Sequence, residues 1–347
     1  QVVKCSTSFK GELHTLWSAP NNMVLNRQFT GASTDGWENG GYIWPHITKT
    51  ATHPTAADSF SFSVTTPVGS DLAVAVLLAY DGSADPRDPT NITFGGEAMT
   101  KAIAKSETTT RSYAAVYYVA TPNTGSTTFA TDWTYTGNAR IDEVTFAFYL
   151  ISGVDASSLS VATDSNDIDG STAVSDTVTT AAGDIVIQAV SIGGDDVTVT
   201  LGADQYLNTT VTGSNTFTHH SNSQITTGTS TAMTATLSEA ESGSSASAAF
   251  AKGTNPVVPL DMTSDRGNLV HLMAVSNDIV AFTGTGDSAS TTTQIAANLL
   301  SDAVTDGENI DAGLFATIGG ELIACVWHEG TGVTFYRSTN GGVIWAD

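Results

Sequence analysis

The chain has 347 residues, of which 12 are Lys or Arg and 35 are Asp or Glu; the formal charge is −23 and only 14% of residues are charged. A basic surface for nucleic acid is excluded, because affinity for phosphate backbones rests on Lys and Arg displacing counterions. At roughly 150 residues per domain the length suggests about two or three domains, and a 40% hydrophobic content excludes disorder throughout.

With so few charges, the polar surface is expected to be hydroxyl and amide, supplied by Thr, Ser and Asn. No apolar run approaches the roughly 18 to 20 residues of a membrane-spanning helix, so no membrane insertion is expected. Cys5 and Cys325 stand near opposite ends and read as two isolated thiols rather than a disulfide framework. The chain begins without an initiator Met or signal peptide, which reads either as removal of an N-terminal piece or as a segment of something longer.

Residues 1–54 show weak strand alternation, and Trp17, Trp37, Tyr42 and Trp44 lie among glycines and Pro45. They read as an N-terminal arm. Trp37, Tyr42 and Trp44 suit either a sugar-stacking platform or an anchor on a sandwich or neighbouring subunit, and the second reading is favoured.

From residue 55 onward the periodicity is β almost everywhere. Leu72, Val74, Val76, Leu78 and Tyr80 share one strand face and Ala73, Ala75, Leu77 and Ala79 the other, which indicates a central strand covered twice. Phe129, Thr131, Trp133 and Tyr135 alternate with polar residues, a half-buried pattern, and Glu143 to Ile151 repeats the apolar alternation. Clusters such as Asp81-Gly82, Gly95-Gly96 and Gly193-Gly194 punctuate these runs as turns between antiparallel strands.

An internal duplication follows. VTTPVGSDLAVAV, Val64 to Val76, is echoed by VTTAAGDIVIQAV, Val178 to Val190, with one residue inserted in the first copy. Each unit has the size and strand count of a β-sandwich of immunoglobulin or jelly-roll type. Two separate sandwiches, residues 55–156 and 157–253, joined through Asp155 to Ser160, are expected; one larger double-sheet sandwich is the alternative. After a Gly- and Pro-bearing linker, residues 254–347 return to short strands, apart from Thr292 to Val304, whose Ile295, Leu299, Leu300 and Val304 predict a helix.

Two resemblances sit on these patterns. The strand at Val64, the TFGG turn at Thr93 to Gly96 and YYVATPNTG before a Thr-rich strand resemble a tandem sandwich region of phage virion proteins and secreted bacterial surface proteins. That resemblance implies a structural or adhesive part of an extracellular particle. At the C-terminus, Ser338-Thr339-Asn340-Gly341-Gly342-Val343-Ile344-Trp345 resembles the Asp box of sialidase-like β-propellers. In that family the box is a hairpin turn, with Ser338, Asn340 and Gly342 in the turn positions and Trp345 packing between blades; Asn340 replaces the usual Asp. Ile323, Cys325 and Trp327 point one way and Leu322, Ala324 and Val326 the other, as a blade needs. The resemblance implies a partial propeller, since about 90 residues make at most about two four-stranded blades.

Candidate chemistry is sparse. The sialidase family uses an arginine triad, but the propeller-like part has only Arg266 and Arg337, so catalysis is not expected. Asp167, Asp169 and Asp176, with Gly170 at the turn, are spaced like calcium ligands of an EF-hand-type loop; the competing reading is a solvated acidic turn. His219-His220 lacks further zinc ligands and reads as an exposed or semi-exposed strand pair. Gly284-Thr285-Gly286 lacks the Lys and helix of a phosphate loop, and the sequons at Asn91 and Asn208 are chance-level matches.

The sequence therefore predicts an all-β chain of tandem immunoglobulin- or jelly-roll-like sandwiches with a propeller-like C-terminal segment. The expected role is a non-catalytic structural protein of a phage particle, in the tail, fibre or capsid surface. It would have no cofactor beyond possible calcium, and its partners would be copies of itself, other virion proteins and a cell-surface glycan. The alternatives are secreted glycan-binding or glycosidase-associated accessory modules, and a surface adhesin or filament subunit.

Overall fold

The computed structural model describes residues 2–9, 12–19, 23–29, 37–42, 47–53, 59–66, 70–80, 88–123, 125–133, 143–151, 153–154, 156–157, 159, 161–181, 183–194, 197–203, 205–212, 217–226, 228–252, 257–265, 268–275, 278–284, 291–296, 310–317, 321–328, 332–339 and 345–346; these form 26 β-strands in antiparallel sheets, none closed into a barrel.

Where the sequence reads as an arm, the chain forms a four-stranded meander: β1 (Val2–Phe9), β2 (Glu12–Ala19), β3 (Met23–Phe29) and β4 (Trp37–Tyr42) in that order. The expected boundary at residue 54 also cuts off β5 (Ile47–His53), which pairs with a strand nearly a hundred residues later. Alternation was hard to see here because both faces of these strands mix apolar and polar residues.

The first repeat unit continues with β6 (Ser59–Thr66), β7 (Leu72–Tyr80), β8 (Asn91–Phe94), β9 (Glu97–Ala98), β10 (Thr100–Glu107), β11 (Ser112–Ala120), β12 (Gly125–Asp132) and β13 (Glu143–Ile151). One sheet has the order β10-β11-β7-β13-β5 and its partner β6-β12-β8-β9. Between them lies an aromatic core that includes Phe60, Phe94, Phe129, Trp133, Phe146 and Phe148, the arrangement of a β-sandwich. Trp133 meets Phe60 edge-on at 5.7 Å.

The second unit comprises β14 (Val161–Thr179), β15 (Ile185–Ile192), β16 (Val199–Leu201), β17 (Tyr206–Thr212), β18 (Thr218–Ile225) and β19 (Ser230–Phe250). Its order, β14-β19-β15-β18-β17, repeats that of β5-β13-β7-β11-β10, and β16 pairs with β19 as β8 pairs with β12. The duplication in sequence is thus a duplication in topology. One difference stands out: β14 does the work of both β5 and β6, and β19 that of both β12 and β13. Residues 161–168 of β14 pair with 243–250, whereas 173–179 pair with 230–236.

Strands of 19 and 21 residues serve both layers only by bending. The ladder shifts register between Ile168 and Ala173, with Gly170 at φ 55°, a conformation glycine takes without Cβ strain. Opposite, Gly243 lies so close to β15 that a Cβ there would stand 2.3 Å from the Ser191 carbonyl oxygen and 2.9 Å from Ile192 Cα. The acidic segment read as a turn is therefore the bend of a continuous strand.

The units are not separate. Leu72, Val74, Val76 and Leu78 on one face of β7 pack with Ile185, Ile187, Ala246, Ala248 and Phe250 of the second unit, while Ala73, Ala75, Leu77 and Ala79 face the aromatic core. The doubly apolar β7 is covered on both sides, as its sequence predicts, but one cover comes from the other repeat. The result is four stacked β-layers.

After residue 252 come β20 (Val257–Asp265), β21 (Asn268–Val275), β22 (Asp278–Gly284) and β23 (Thr291–Ala296), a second meander, then β24 (Ile310–Ala316), β25 (Leu322–His328) and β26 (Gly332–Ser338), a third. The helix expected at Thr292 to Val304 is corrected in its first part: Thr291 to Ala296 pairs with β22, because Thr291, Thr292 and Thr293 are β-branched and favour a pleated surface. Residues 297–304 lie outside the described residues. Leu260, Val270, Leu272, Ile279 and Ala281 pack against Leu314, Leu322, Ala324, Val326 and Tyr336, so these two meanders lie face to face. Strand β20 also runs beside β1, β2 and β3, so the N-terminal meander neighbours the first strand that follows the second unit.

Candidate interaction surface

The carboxylates singled out as calcium ligands have other partners. Asp176 is fully buried and accepts hydrogen bonds from Ser245 (2.7 Å), Ser247 (2.7 Å), Asn166 (3.0 Å) and Gln188 (3.0 Å). Those four donors compensate the charge for its lost water. Asp167, on the opposite strand face from Asn166, pairs with Lys105 of the first unit at 2.8 Å. Asp169 is exposed at the bend. The structure does not bring the three to one point, and no group of three or more potential metal-ligating side chains gathers among the described residues.

His219 and His220, expected to be exposed or semi-exposed, are both fully buried. The reason is tertiary: β18 lies between β15 and β17, and the first unit covers its face. His219 Nδ1 bonds Thr145 Oγ1 at 2.9 Å, and its ring lies 4.0 Å from that of Phe217, which stacks on Tyr80 of the first unit. His220 Nδ1 bonds Thr210 Oγ1 at 3.1 Å. Burial pushes the His219 pKa down to about 3 and that of His220 to about 4, because a desolvated imidazolium is disfavoured.

Around them runs a hydroxyl seam between the units. The Tyr149 hydroxyl donates to Ser221 Oγ, which donates to the Gln188 carbonyl (3.1 Å). Ser112 donates to Ser244 (3.2 Å), and Ser191 to the Ala79 carbonyl (3.3 Å). The serines of β18 and of the second half of β19 are therefore interior, contrary to the expectation that hydroxyls supply the surface. They were missed because alternation shows which residues share a face, not whether that face meets water. A backbone device also recurs: Asp71 accepts from Gly153 N at 2.6 Å and Asp184 from Lys252 N at 3.1 Å, each at the start of its unit's central strand. Burial raises the Asp71 pKa to about 6, against the lowering effect of the Gly153 bond.

An open apolar surface is presented by the C-terminal sheet β24–β26. Register aligns Gly313, Cys325 and Phe335 across β24–β26, with Phe315, Ile323 and Arg337 in the adjoining row. Phe315, Trp327, Val333 and Phe335 are exposed by 58, 40, 55 and 61%, while Ile323 and Cys325 are half-buried between them. This alternation follows the one read from the sequence of Leu322 to Trp327. Arg337 is ion-paired with Glu321 at the rim.

Of the residues that resemble an Asp box in sequence, Ser338 is buried at the end of β26, and Trp345 packs against the core shared by the two C-terminal meanders. Arg337 and Ala346 exchange backbone hydrogen bonds of 2.7 and 3.0 Å. Asn340 and Gly342 lie outside the described residues. Trp37 and Tyr42 sit at the two ends of β4, opposite Phe29 and Leu25, and Trp44 lies outside the described residues. Cys5 on β1 pairs in the backbone ladder with Leu16, and Cys325 is a free thiol.

Comparison with known protein families, with curated proteins and with solved structures finds no match to this chain.

Proposed function

We propose that this chain is a non-catalytic structural element of a viral particle, on a phage tail, fibre or capsid surface, where it serves as a rigid spacer that presents an adhesive end. The observation that carries the reading is the four-layer stack, in which one sheet of each repeat is buried against the other through apolar side chains and a hydroxyl seam. Such a body resists relative motion of its layers, because sliding them breaks buried hydrogen bonds that water does not reach. The buried carboxylates Asp176 and Asp184 and the half-buried Asp71 accept hydrogen bonds from neighbouring side chains and backbone, which suits scaffolding. The acidic, Lys-poor exterior supports an extracellular setting. Mass spectrometry of purified particles from a producing host tests the assignment. The chain is expected at a fixed copy number per particle, and its absence from washed particles overturns the proposal.

A second reading, accessory modules of a glycan-binding protein, draws on the Asp-box-like segment, with Ser338 buried, Trp345 packed on the meander core and Arg337 paired in the backbone with Ala346. Binding on a glycan array that is lost in Trp327→Ala, an exposed aromatic, favours it over the particle reading.

A further inference from the structure

We propose that the interior of the second unit is a binding site for a buried row of ordered water molecules, seated against β15 and β18 and bonded to Gln188, His220, Asn222 and Gln224. Four of the eight buried side-chain nitrogen and oxygen atoms that lack a hydrogen-bond partner among the described residues are Gln188 Oε1, His220 Nε2, Asn222 Oδ1 and Gln224 Oε1. They share one sheet face. Residues 220, 222 and 224 alternate along β18, and Gln188 stands directly opposite Asn222 in the ladder. Gln188, His220 and Asn222 are fully buried, where a polar atom without a partner is rare and costly.

The bonds already made define what these atoms need. Gln188 Nε2 donates to Asp176 Oδ2 at 3.0 Å and to the Met233 carbonyl at 3.3 Å, so its free atom is the acceptor. Asn222 Nδ2 donates to Gln205 Oε1 at 2.6 Å, which leaves Oδ1. His220 engages Thr210 Oγ1 through Nδ1, which leaves Nε2 with one bond to make in either tautomer. The missing partner is a small group that donates hydrogen bonds.

The first unit shows that the frame itself does not demand this polarity. At the same ladder positions Ala75 stands opposite Tyr117, Leu77 opposite Ala115 and Ala73 opposite Val119, and these side chains belong to the aromatic core or pack against it. The second unit has Gln188 opposite Asn222, Val190 opposite His220 and Val186 opposite Gln224. Its apolar residues fall into two small clusters, with Val190 in one and Val186 in the other. The polar residues occupy the space between and beside them, so the change of chemistry is confined to one patch.

Spacing selects water over a cation. Positions 220 and 224 are about 13 Å apart along an extended strand, whereas the oxygen ligands of one hard cation lie within about 5 Å of one another. Asp176, the carboxylate beside Gln188, already accepts from four side chains and calls for no counter-ion. Water both donates and accepts, so successive molecules can bond to the protein and to each other. The ends of the row lie near solvent, since Gln224 is half-buried and Thr210, the partner of His220, is exposed.

High-resolution crystallography of the 347-residue chain, with magnetic relaxation dispersion of the solvent as a measure of long-lived internal water, tests this. Ordered water is expected about 2.8 Å from Gln188 Oε1, Asn222 Oδ1 and Gln224 Oε1. Gln224→Val, which installs the first unit's residue, should lose the water at that end, keep the one between Gln188 and Asn222, and lower the long-lived water signal. Direct bonds from these atoms to other protein groups, with no density between them, overturn the proposal. So does a peak that gives anomalous signal after a rubidium soak, since the occupant is then a cation. The unsubstituted chain decides between these outcomes without the variant.

Discussion

The two repeats share a frame and fill it with opposite chemistry. Aligning Val64-Thr65-Thr66 with Val178-Thr179-Thr180, and the pair Leu72 and Ile151 with Ile185 and Phe250, places Phe62 where the second unit has Asp176. Phe146 and Phe148 then correspond to Ser245 and Ser247, and Ala75 to Gln188. In the first unit Phe62 meets Phe146 at 5.8 Å and Phe148 at 6.2 Å. In the second, Asp176 accepts from the two serines that replace them. Elsewhere the chemistry is kept: Thr66 bonds Thr127 at 3.3 Å, and the equivalent Thr180 bonds Thr231 at 3.1 Å. An antiparallel frame thus accepts either an aromatic cluster or a carboxylate with a full set of donors. The two differ in how they fail, since a polar nest with one member missing leaves buried groups unpaired, whereas an aromatic cluster leaves a cavity.

The largest effect tests the bend that only the second unit has. Gly243→Val drives side-chain atoms into the β15 backbone and is expected to cost at least about 4 kcal/mol, read by urea denaturation; an unchanged midpoint means that β19 does not approach β15 as described. Phe146→Ala, in the aromatic cluster, should cost about 3–5 kcal/mol. Asp176→Ala removes the acceptor shared by the buried Ser245, Ser247 and Gln188 and should cost about 3 kcal/mol. The comparison sharpens if Asp176→Leu is combined with Ser245→Ala, Ser247→Ala and Gln188→Leu. An apolar set of similar shape should then lose less than Asp176→Ala alone, and a larger loss would show that the polar nest cannot be exchanged for its apolar counterpart.

Smaller effects follow from protonation. His219 and His220 are held neutral, with pKa values lowered to about 3 and 4. Their contribution is fully present above the unfolded value near 6.5 and is lost as pH falls toward those values, by about 1.4 kcal/mol per pH unit for each. Melting at stepped pH should show this, and His219→Gln should shallow the slope. Asp71 has the opposite sign. Its pKa is raised to about 6, so its contribution is present below its unfolded value near 4 and is lost as pH rises through about 6. Asp71→Asn should therefore compare better with the parent at pH 7 than at pH 4. The least effect is expected at the seam's exposed edge: Lys105→Ala removes the pair with Asp167 and should cost under about 0.5 kcal/mol, against a larger loss for Tyr149→Phe, which removes the buried bond to Ser221.

Much of the fold was legible where periodicity was strong. The strands β7, β12 and β13, the paired VTT segments and the alternation in β25 all appear where the residues predict them. The arm and the helix misled for a common reason: short runs with mixed faces carry little periodic signal, and strand pairing decides them. The candidate site residues were the least legible. Asp176 looked like a loop ligand because spacing alone cannot reveal that its partners, Ser245 and Ser247, come from 69 and 71 residues away.

The sequence by itself determined the β class, the doubled strand order, the two-sided burial of β7 and the scarcity of cations, since each depends on local pattern or on composition. Tertiary structure alone decided that the repeats pack together, that two histidines and a set of serines lie inside, and that the N-terminal meander sits beside β20. The physical reason is that alternation assigns residues to faces, while burial depends on which layer closes over a face, and here the covering layer comes from the other half of the chain.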